Sequence, residues 1–213
     1  MPRDPNKPAP RPTESRAPQT ILGGLILAAG ASSRMGQHKA LLPWRDATCG
    51  VVLARSMQRA GLLVVAVVPP NDAGKTIAQQ LAPFALVVEN PDPSRGPTSS
   101  LHCGAAALLA QGCSAAIISP VDQPELHPDT AARLVAALRE GFPALVMHQT
   151  QSGHPYALPD LSRLLALSLD ETPRSLLEGA RVVEAGPEVL LNLNTPADYR
   201  AAFRLYLEEG SDG

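Results

Sequence analysis

Short, continuous apolar runs that recur between stretches of helical spacing leave this chain few folds to choose from. Ile21–Ala28, Leu62–Val68 and Ala115–Ser119 are the clearest runs, with Phe84–Glu89 weaker and Ala144–His148 a fifth. Each is apolar without alternation, the pattern of strands covered on both faces. Helical spacing fills 48–60, 71–82, 98–111 and 128–140 between them. Pro128 suits a first helical position, and Gly141 the residue just past a helix end. The alternation predicts an α/β fold of three layers, α/β/α, around a mainly parallel, Rossmann-like sheet.

The final third is less regular. "GHPYALP" (153–159) predicts a turn and a short strand, and "PDLSRLLAL" and "TPRSLLEGA" predict short helices. "RVVEA" and "EVLLNL" predict two more strands, and a last helix from near Pro196 carries Tyr199, Phe203 and Tyr206 on one side. In open sheets of this class, ligands sit beyond the carboxyl ends of the strands. The loops to search for chemistry are therefore 29–39, 90–100, 120–126, 149–155 and 192–196.

Length and composition narrow the function. The 213 residues, 45% hydrophobic, support one substantial core. The reading is a single domain over 20–208, preceded at 1–19 by a disordered arm rich in proline (Pro2, Pro5, Pro8, Pro10, Pro12 and Pro18). A net charge of −2 and 3% aromatic residues offer neither a basic field nor a stacking surface for nucleic acid. No apolar run approaches the ~20 residues that span a bilayer. Arg3, Lys7, Arg11 and Arg16 before the run Ile21–Ala29 imitate a secretory signal, but Asp4, Glu14 and Gly23-Gly24 break the imitation. Cys49, Cys103 and Cys113 are odd in number and lack metal-ligand spacing, which fits reduced thiols and a cytoplasmic setting.

Four segments hold the residue types for chemistry. After the first strand, Ala28, Ala29, Gly30, Ala31, Ser32 and Ser33 leave the backbone open, so that successive peptide N–H groups can cradle an anion. Arg34 and Lys39 add the charge that suits a triphosphate. The alternative is a small-residue turn with solvated charges. The loop is neither Gly-x-Gly-x-x-Gly nor a Walker A sequence, and "AGKT" at 73–76 lacks the upstream glycine. In "SPVDQPEL" (119–126), Asp122 follows a strand and stands between two prolines, either as a Mg²⁺ ligand or as a helix cap. "LLNLNTPADY" (190–199) offers Asn192 and Asn194, as metal ligands or as helix-start residues. In "NPDPSRGPTSSLHCG" (90–104), Thr98, Ser99 and Ser100 can meet a base or ribose, or simply cap a helix. His38, His102, His127 and His148 lack paired partners. No Ser-His-Asp order or Gly-x-Ser-x-Gly elbow supports acyl hydrolysis.

"LAAGASSRMGQHKALLP" resembles the signature loop of the MobA/MocA-like nucleotidyltransferases that act on molybdenum cofactor, Leu-Ala-(Ala/Gly)-Gly-x-Ser-x-Arg-Met-Gly-x-x-Lys. The likeness runs from about residue 21 to 203. Ala-Ala-Gly at 28–30, "GPTSSLHCG", "VDQP" and "GHPYAL" resemble the cytidylyl-transferring branch. "NLNTPADY" is closer to the guanylyl-transferring branch. "LDETPR" keeps Asp170 and Arg174 of a Gly-Asp-x-Gly-Ala-Arg segment on the acceptor side but neither glycine.

The resemblance implies the nucleotidyltransferase fold, with a nucleotide-binding N-terminal half and an acceptor-binding C-terminal half. It implies transfer of CMP from CTP to molybdenum–molybdopterin, with release of pyrophosphate and Mg²⁺ as cofactor. Arg34 would clamp the β/γ-phosphates and Lys39 the α-phosphate. Asp122, with Asn194, would hold the metal. Leu27, Ala28, Ala29, Gly30, Ser32, Ser99 and Ser100 would line the nucleotide, and Gly153, His154, Asp170 and Arg174 the pterin acceptor. No general base is required, because a phosphate nucleophile is ionised at neutral pH. Guanylyl transfer, another phosphorylated acceptor such as a sugar phosphate, a carrier that hands the cofactor to a client molybdoenzyme, and a secreted binding protein cleaved after Ala31 are the competing readings.

Overall fold

The computed structural model describes residues 20–30, 32 and 35–209, without the side chains of 205–209. The proline-rich arm at 1–19, together with Ala31, Ser33 and Arg34, lies outside the described residues, as does the side chain of Tyr206. In chain order the elements are β1 (Leu22–Leu27), the hairpin strands β2 (Pro43–Trp44) and β3 (Ala47–Thr48), α1 (Cys49–Arg59), β4 (Leu63–Val68), α2 (Asp72–Leu81) and β5 (Leu86–Glu89). Then come α3 (Pro97–Ala110), β6 (Ala115–Pro120), α4 (Pro128–Arg139), β7 (Ala144–His148), β8 (Gln151–Leu158), α5 (Ser162–Leu165), β9 (Arg181–Glu184) and α6 (Pro196–Glu209).

Seven strands form one sheet in the order β5-β4-β1-β6-β8-β7-β9. β5, β4, β1 and β6 are mutually parallel, and β7 pairs parallel with β9. β8 runs antiparallel to both of its neighbours, β6 and β7. The core lies on both faces. Leu25, Val65, Val67, Ala116 and Ile118 pack against α3 and α5, whereas Ile26, Val64, Ala66 and Ile117 pack against α1, α2 and α4. Period-2 alternation on doubly covered strands explains why these runs are apolar throughout.

The expected helices and the first five strands are present, the one expected over 172–180 as a 3₁₀ turn at Pro173–Leu177. Two differences from expectation have local causes. The stretch predicted as a turn and short strand at 153–159 supplies the last six residues of an eight-residue strand, β8. It is reached by a tight turn in which Gln149 takes a left-handed conformation (φ 55°). Gln149-Thr150 is not one of the usual hairpin pairs, so no turn signal marks it. "EVLLNL" is not a strand but a 3₁₀ turn at Pro187–Leu190 followed by extended chain. Pro187 occupies the first turn and removes a ladder donor. The Val189 carbonyl accepts from Gln123 Nε2 (2.7 Å) and the Leu193 N–H donates to the Asp122 carbonyl (3.2 Å), so this backbone pairs with a loop instead of a strand.

α6 packs against the β2–β3 hairpin, which no sequence signal announced. Trp44 lies fully buried with Tyr199 and Phe203 at centroid distances of 6.4 and 6.1 Å. Its indole N–H donates to Glu125 (2.6 Å), and the Tyr199 hydroxyl donates to the Pro43 carbonyl (2.7 Å). The hairpin thereby ties the segment after β1 to the segment after β6 and to the last helix. Among the described residues, no helix is long and apolar enough to cross a membrane.

Candidate functional site

The sheet changes its winding direction at β1. From β1 the chain moves outward through β4 and β5, then returns to place β6 on the opposite side. Loops leaving the carboxyl ends of β1 and β6 therefore diverge above a crevice, the place where open α/β sheets hold ligands. Leu27 and Pro120 are register partners, and the Val121 N–H donates to the Leu27 carbonyl (3.1 Å). These two strands thus deliver Leu27–Gly30 and Val121–Asp122 side by side.

A cavity of about 420 Å³ opens there, lined from the first loop by Leu27, Ala29, Gly30, Ser32, His38 and Lys39. Ser100, Asp122 and Asn194 complete its polar wall. Ser32 holds a left-handed backbone (φ 48°), and its hydroxyl accepts from the Lys39 N–H (3.2 Å). That bond pins the start of the 3₁₀ turn Lys39–Leu41, whose cap is His38, accepting at Nδ1 from the Ala40 N–H (3.3 Å). Burial pushes the His38 imidazole below the ordinary histidine pKa, a contact with the Gly30 backbone pulls it back up, and the Lys39 charge adds to the lowering.

Lys39 organises the centre of the site. Its Nζ donates to Asp122 Oδ2 (3.0 Å) and to Asn194 Oδ1 (2.6 Å), with the lysine and aspartate side chains only 14% and 21% exposed. Residues 83 and 155 positions away in the chain thus converge on one ammonium group. Neither oxygen is spent on helix-start chemistry. The cap of α4 is His127, not Asp122. At α6, Thr195 and Asp198 bond reciprocally (Asp198 N–H to Thr195 Oγ1, 3.2 Å; Thr195 N–H to Asp198 Oδ2, 2.9 Å), which frees the Asn194 side chain.

Ser99 and Ser100 are buried in the first turn of α3, whose cap is Gly96. Both hydroxyls accept from the Asn90 side-chain amide (2.8 and 3.0 Å), and Asn90 in turn donates its N–H to the Val68 carbonyl at the end of β4. Asn90, 2% exposed, is a site-shaping residue that the sequence did not single out. Its signal was position alone, the first residue after a strand. Gln123 is the second such residue. Buried beside Asp122, it holds Val189 and so ties the loop carrying Asp122 to the loop carrying Asn194.

The remaining sequence-selected residues fall elsewhere. Ala28 is buried beneath the loop, its N–H donating to the Val67 carbonyl (2.9 Å). Gly153 and His154 stand on β8. A Cβ at Gly153 would meet the Val189 carbonyl oxygen at 2.0 Å, so that position is reserved for glycine by close approach. His154 Nδ1 is buried and unbonded. Burial lowers its imidazole pKa, and the nearby Asp122 carboxylate pulls the other way. Asp170 and Arg174 are exposed and do not line the cavity, although the Thr98 hydroxyl donates to the Glu171 carbonyl (2.6 Å) and ties their segment to α3. Arg34 lies outside the described residues. Cys49, Cys103 and Cys113 are free thiols, and burial pushes Cys49 up to about 12. Among the described residues no group of three His, Cys, Asp or Glu forms a metal cluster.

The arrangement is an open, small-residue backbone loop beside a lysine that faces one carboxylate oxygen and one amide oxygen. It can bind phosphate through N–H groups and ammonium, and it can offer oxygen ligands to a hard cation. The family model of the MobA-like NTP transferase domain matches residues 24–186. A probable molybdenum cofactor guanylyltransferase of Rhodopirellula baltica is 30% identical over 88% of this chain and 93% of its own length. The molybdenum cofactor cytidylyltransferase of Escherichia coli is 28% identical over 86% and 96%. The crystal structure of Rv0371c from Mycobacterium tuberculosis superposes with a TM-score of 0.71 at 26% identity, covering 87% of this chain and 98% of that one.

Proposed function

The chain belongs to the MobA-like NTP transferase family and is a nucleotidyltransferase, and on that premise we propose that it transfers CMP from CTP to the terminal phosphate of molybdenum–molybdopterin. An acceptor phosphate oxygen forms the new bond to the α-phosphorus. The bond to the β-phosphate bridging oxygen breaks, and pyrophosphate leaves with that electron pair. The observation that carries the reading is the convergence of Lys39, Asp122 and Asn194 at the foot of the β1 loop.

In this proposal the backbone of Leu27–Gly30 and Ser32 lies along the nucleotide, with Ser100 and the buried Ser99 fixed behind it by Asn90. Arg34 holds the β/γ-phosphates and Lys39 meets the α-phosphate. Catalysis then rests on alignment and charge neutralisation, with little covalent work for the protein. Asp122 and Asn194 fit a hard cation: both present oxygen, and both already face the positive charge of Lys39. Bound there, Mg²⁺ supplies neutralisation of phosphate charge. Gly153 and His154, with Asp170 and Arg174 further out, mark the acceptor half of a single domain spanning 20–208. Three free thiols suit action in the cytoplasm, and a molybdoenzyme is the natural recipient of the product.

The choice of CTP rests on Ala29 within Ala-Ala-Gly and on the likeness of 96–104, 121–124 and 153–158 to the cytidylyl branch. Guanylyl transfer is the second reading, favoured by "NLNTPADY" and by relatives of that name matching equally well. A thermal-shift panel of CTP, GTP, ATP and UTP with Mg²⁺, followed by pyrophosphate release with the cofactor as acceptor, separates them. CTP should give the largest shift and support turnover. A larger response to GTP transfers the assignment to guanylyl transfer, and no response to any nucleotide overturns the reading.

A further inference from the structure

We propose that the Lys39 ammonium is a built-in guard of the cation site, so that a divalent metal enters only together with the nucleotide. This rests on the nucleotidyltransferase reading above and adds an order of events to it. Lys39 Nζ sits 3.0 Å from Asp122 Oδ2 and 2.6 Å from Asn194 Oδ1, the same two oxygens that fit a hard cation. A Mg²⁺ ion needs such oxygens at about 2.0–2.1 Å and in octahedral array. An ammonium group already bonded to them competes for those oxygens and repels the ion at close range. The two cations are therefore alternatives.

The exchange has a mechanical basis. The Lys39 backbone is fixed, since its N–H donates to Ser32 Oγ, while four methylenes separate that anchor from the charge. Swinging Nζ away from Asp122 needs only side-chain rotation inside the cavity that both residues line. In the free protein nothing rewards the swing, because it would strip a largely buried carboxylate of its cation. A phosphate group in the cavity changes that balance by giving the ammonium a new anionic partner. Asp122 and Asn194 then face the metal unblocked. By linkage, nucleotide must raise metal affinity by the same factor as metal raises nucleotide affinity.

The experiment is a Mn²⁺ titration of the full chain without nucleotide, free Mn²⁺ being read by electron paramagnetic resonance. Lys39→Met and Lys39→Gln, which remove the competing charge, should bind Mn²⁺ about tenfold or more tightly than the unmodified protein, within the usual range of site-to-site coupling. Lys39→Arg, which keeps a cation, should stay near the unmodified affinity. The melting temperature of both neutral variants should rise with Mn²⁺ at concentrations that leave the unmodified protein unmoved. Adding Asp122→Asn to Lys39→Met should erase the gain. Equal Mn²⁺ affinity in all lysine forms overturns the proposal, as does a gain that survives Asp122→Asn. If the lysine variants gain nothing while Mn²⁺ with CTP still depends on Asp122, only the guard falls. If Asp122→Asn changes Mn²⁺ binding in neither condition, the metal assignment under the proposed function falls with it.

Discussion

The two halves of this sheet are built by different rules. On one side β5, β4, β1 and β6 run parallel, each followed by a helix or a ligand loop, and they carry Leu27–Gly30, Lys39, Ser100 and Asp122. On the other side β8 runs against β6 and β7, the chain after β8 is mostly short helical and 3₁₀ turns, and the residues of interest are Asn194 and His154. The first half repeats a strand-and-helix unit, whereas the second joins one hairpin, β7–β8, to irregular segments held by individual contacts. The difference predicts where substitutions will act on chemistry alone and where they will disturb chemistry and folding together.

The largest expected effect lies in the parallel half. Lys39→Ala removes the only ammonium on the Asp122–Asn194 pair among the described residues. It should lower turnover by about 10²–10³-fold, the usual cost of losing one preorganised charge contact to a transition state. Cooperative unfolding should persist, because the side chain bonds only within the cavity and the turn is held by backbone. Near-normal turnover would remove Lys39 from the mechanism.

Next in size is a pair of matched glycine substitutions, one from each half. Gly104, on α3, faces a side chain: a Cβ there meets Leu25 Cδ1 at 2.2 Å. Overpacking costs about 1–3 kcal/mol, but alanine recovers about 1 kcal/mol of helix propensity, so Gly104→Ala should be mild. Gly153, on β8, faces the Val189 backbone instead, with the carbonyl oxygen at 2.0 Å and its carbon at 2.7 Å. Relief there requires moving the 187–194 segment, whose Leu193 is bonded to Asp122. Gly153→Ala should cost about 3 kcal/mol or more and also weaken metal-dependent nucleotide binding. Urea denaturation alongside nucleotide titration checks both. Equal stability loss in the two variants, or intact binding in Gly153→Ala, would erase the proposed distinction.

The same division explains what could be read from the chain beforehand. Continuous apolar runs such as Leu62–Val68 identify doubly covered strands, and helical spacing with a first-turn proline such as Pro128 identifies the helices, so the strands and helices of the parallel half were legible to within about two residues, the β2–β3 hairpin excepted. The loop at 27–39 and Asp122 were legible because small residues and charge following a strand narrow the chemistry. Asn90 and Gln123 were not. Each is one polar residue whose meaning comes from the side chain or carbonyl it bonds across a loop, Ser100 ten residues on in one case and Val189 sixty-six residues on in the other. "EVLLNL" misled for the same reason. Its apolar side chains do fill the core, Val189 and Leu193 being 2% and 0% exposed, but its backbone pairs with the Asp122 loop, which no local pattern encodes.

The smallest predicted effect returns to the first half and concerns pH. His38 caps the Lys39 turn by accepting at Nδ1, a role open only to the neutral ring. Its pKa in the folded protein lies below the unfolded value of 6.5, chiefly through burial. In the window between the folded value and 6.5 the unfolded chain binds more protons, so stability rises with pH there. The contribution is complete above 6.5 and is lost as acidity drives the folded ring to protonate. His154 on β8 shifts in the same direction, so the unmodified protein carries two such contributions, one from each half. His38→Asn keeps a capping acceptor and cannot titrate. It should flatten the acid limb of the stability profile below about pH 6.5 without abolishing it, and leave the melting temperature above pH 7 within a degree or two. Partial solvent exposure of His38 keeps the change small. An acid limb unchanged in His38→Asn would place the whole pH response in the second half, with His154.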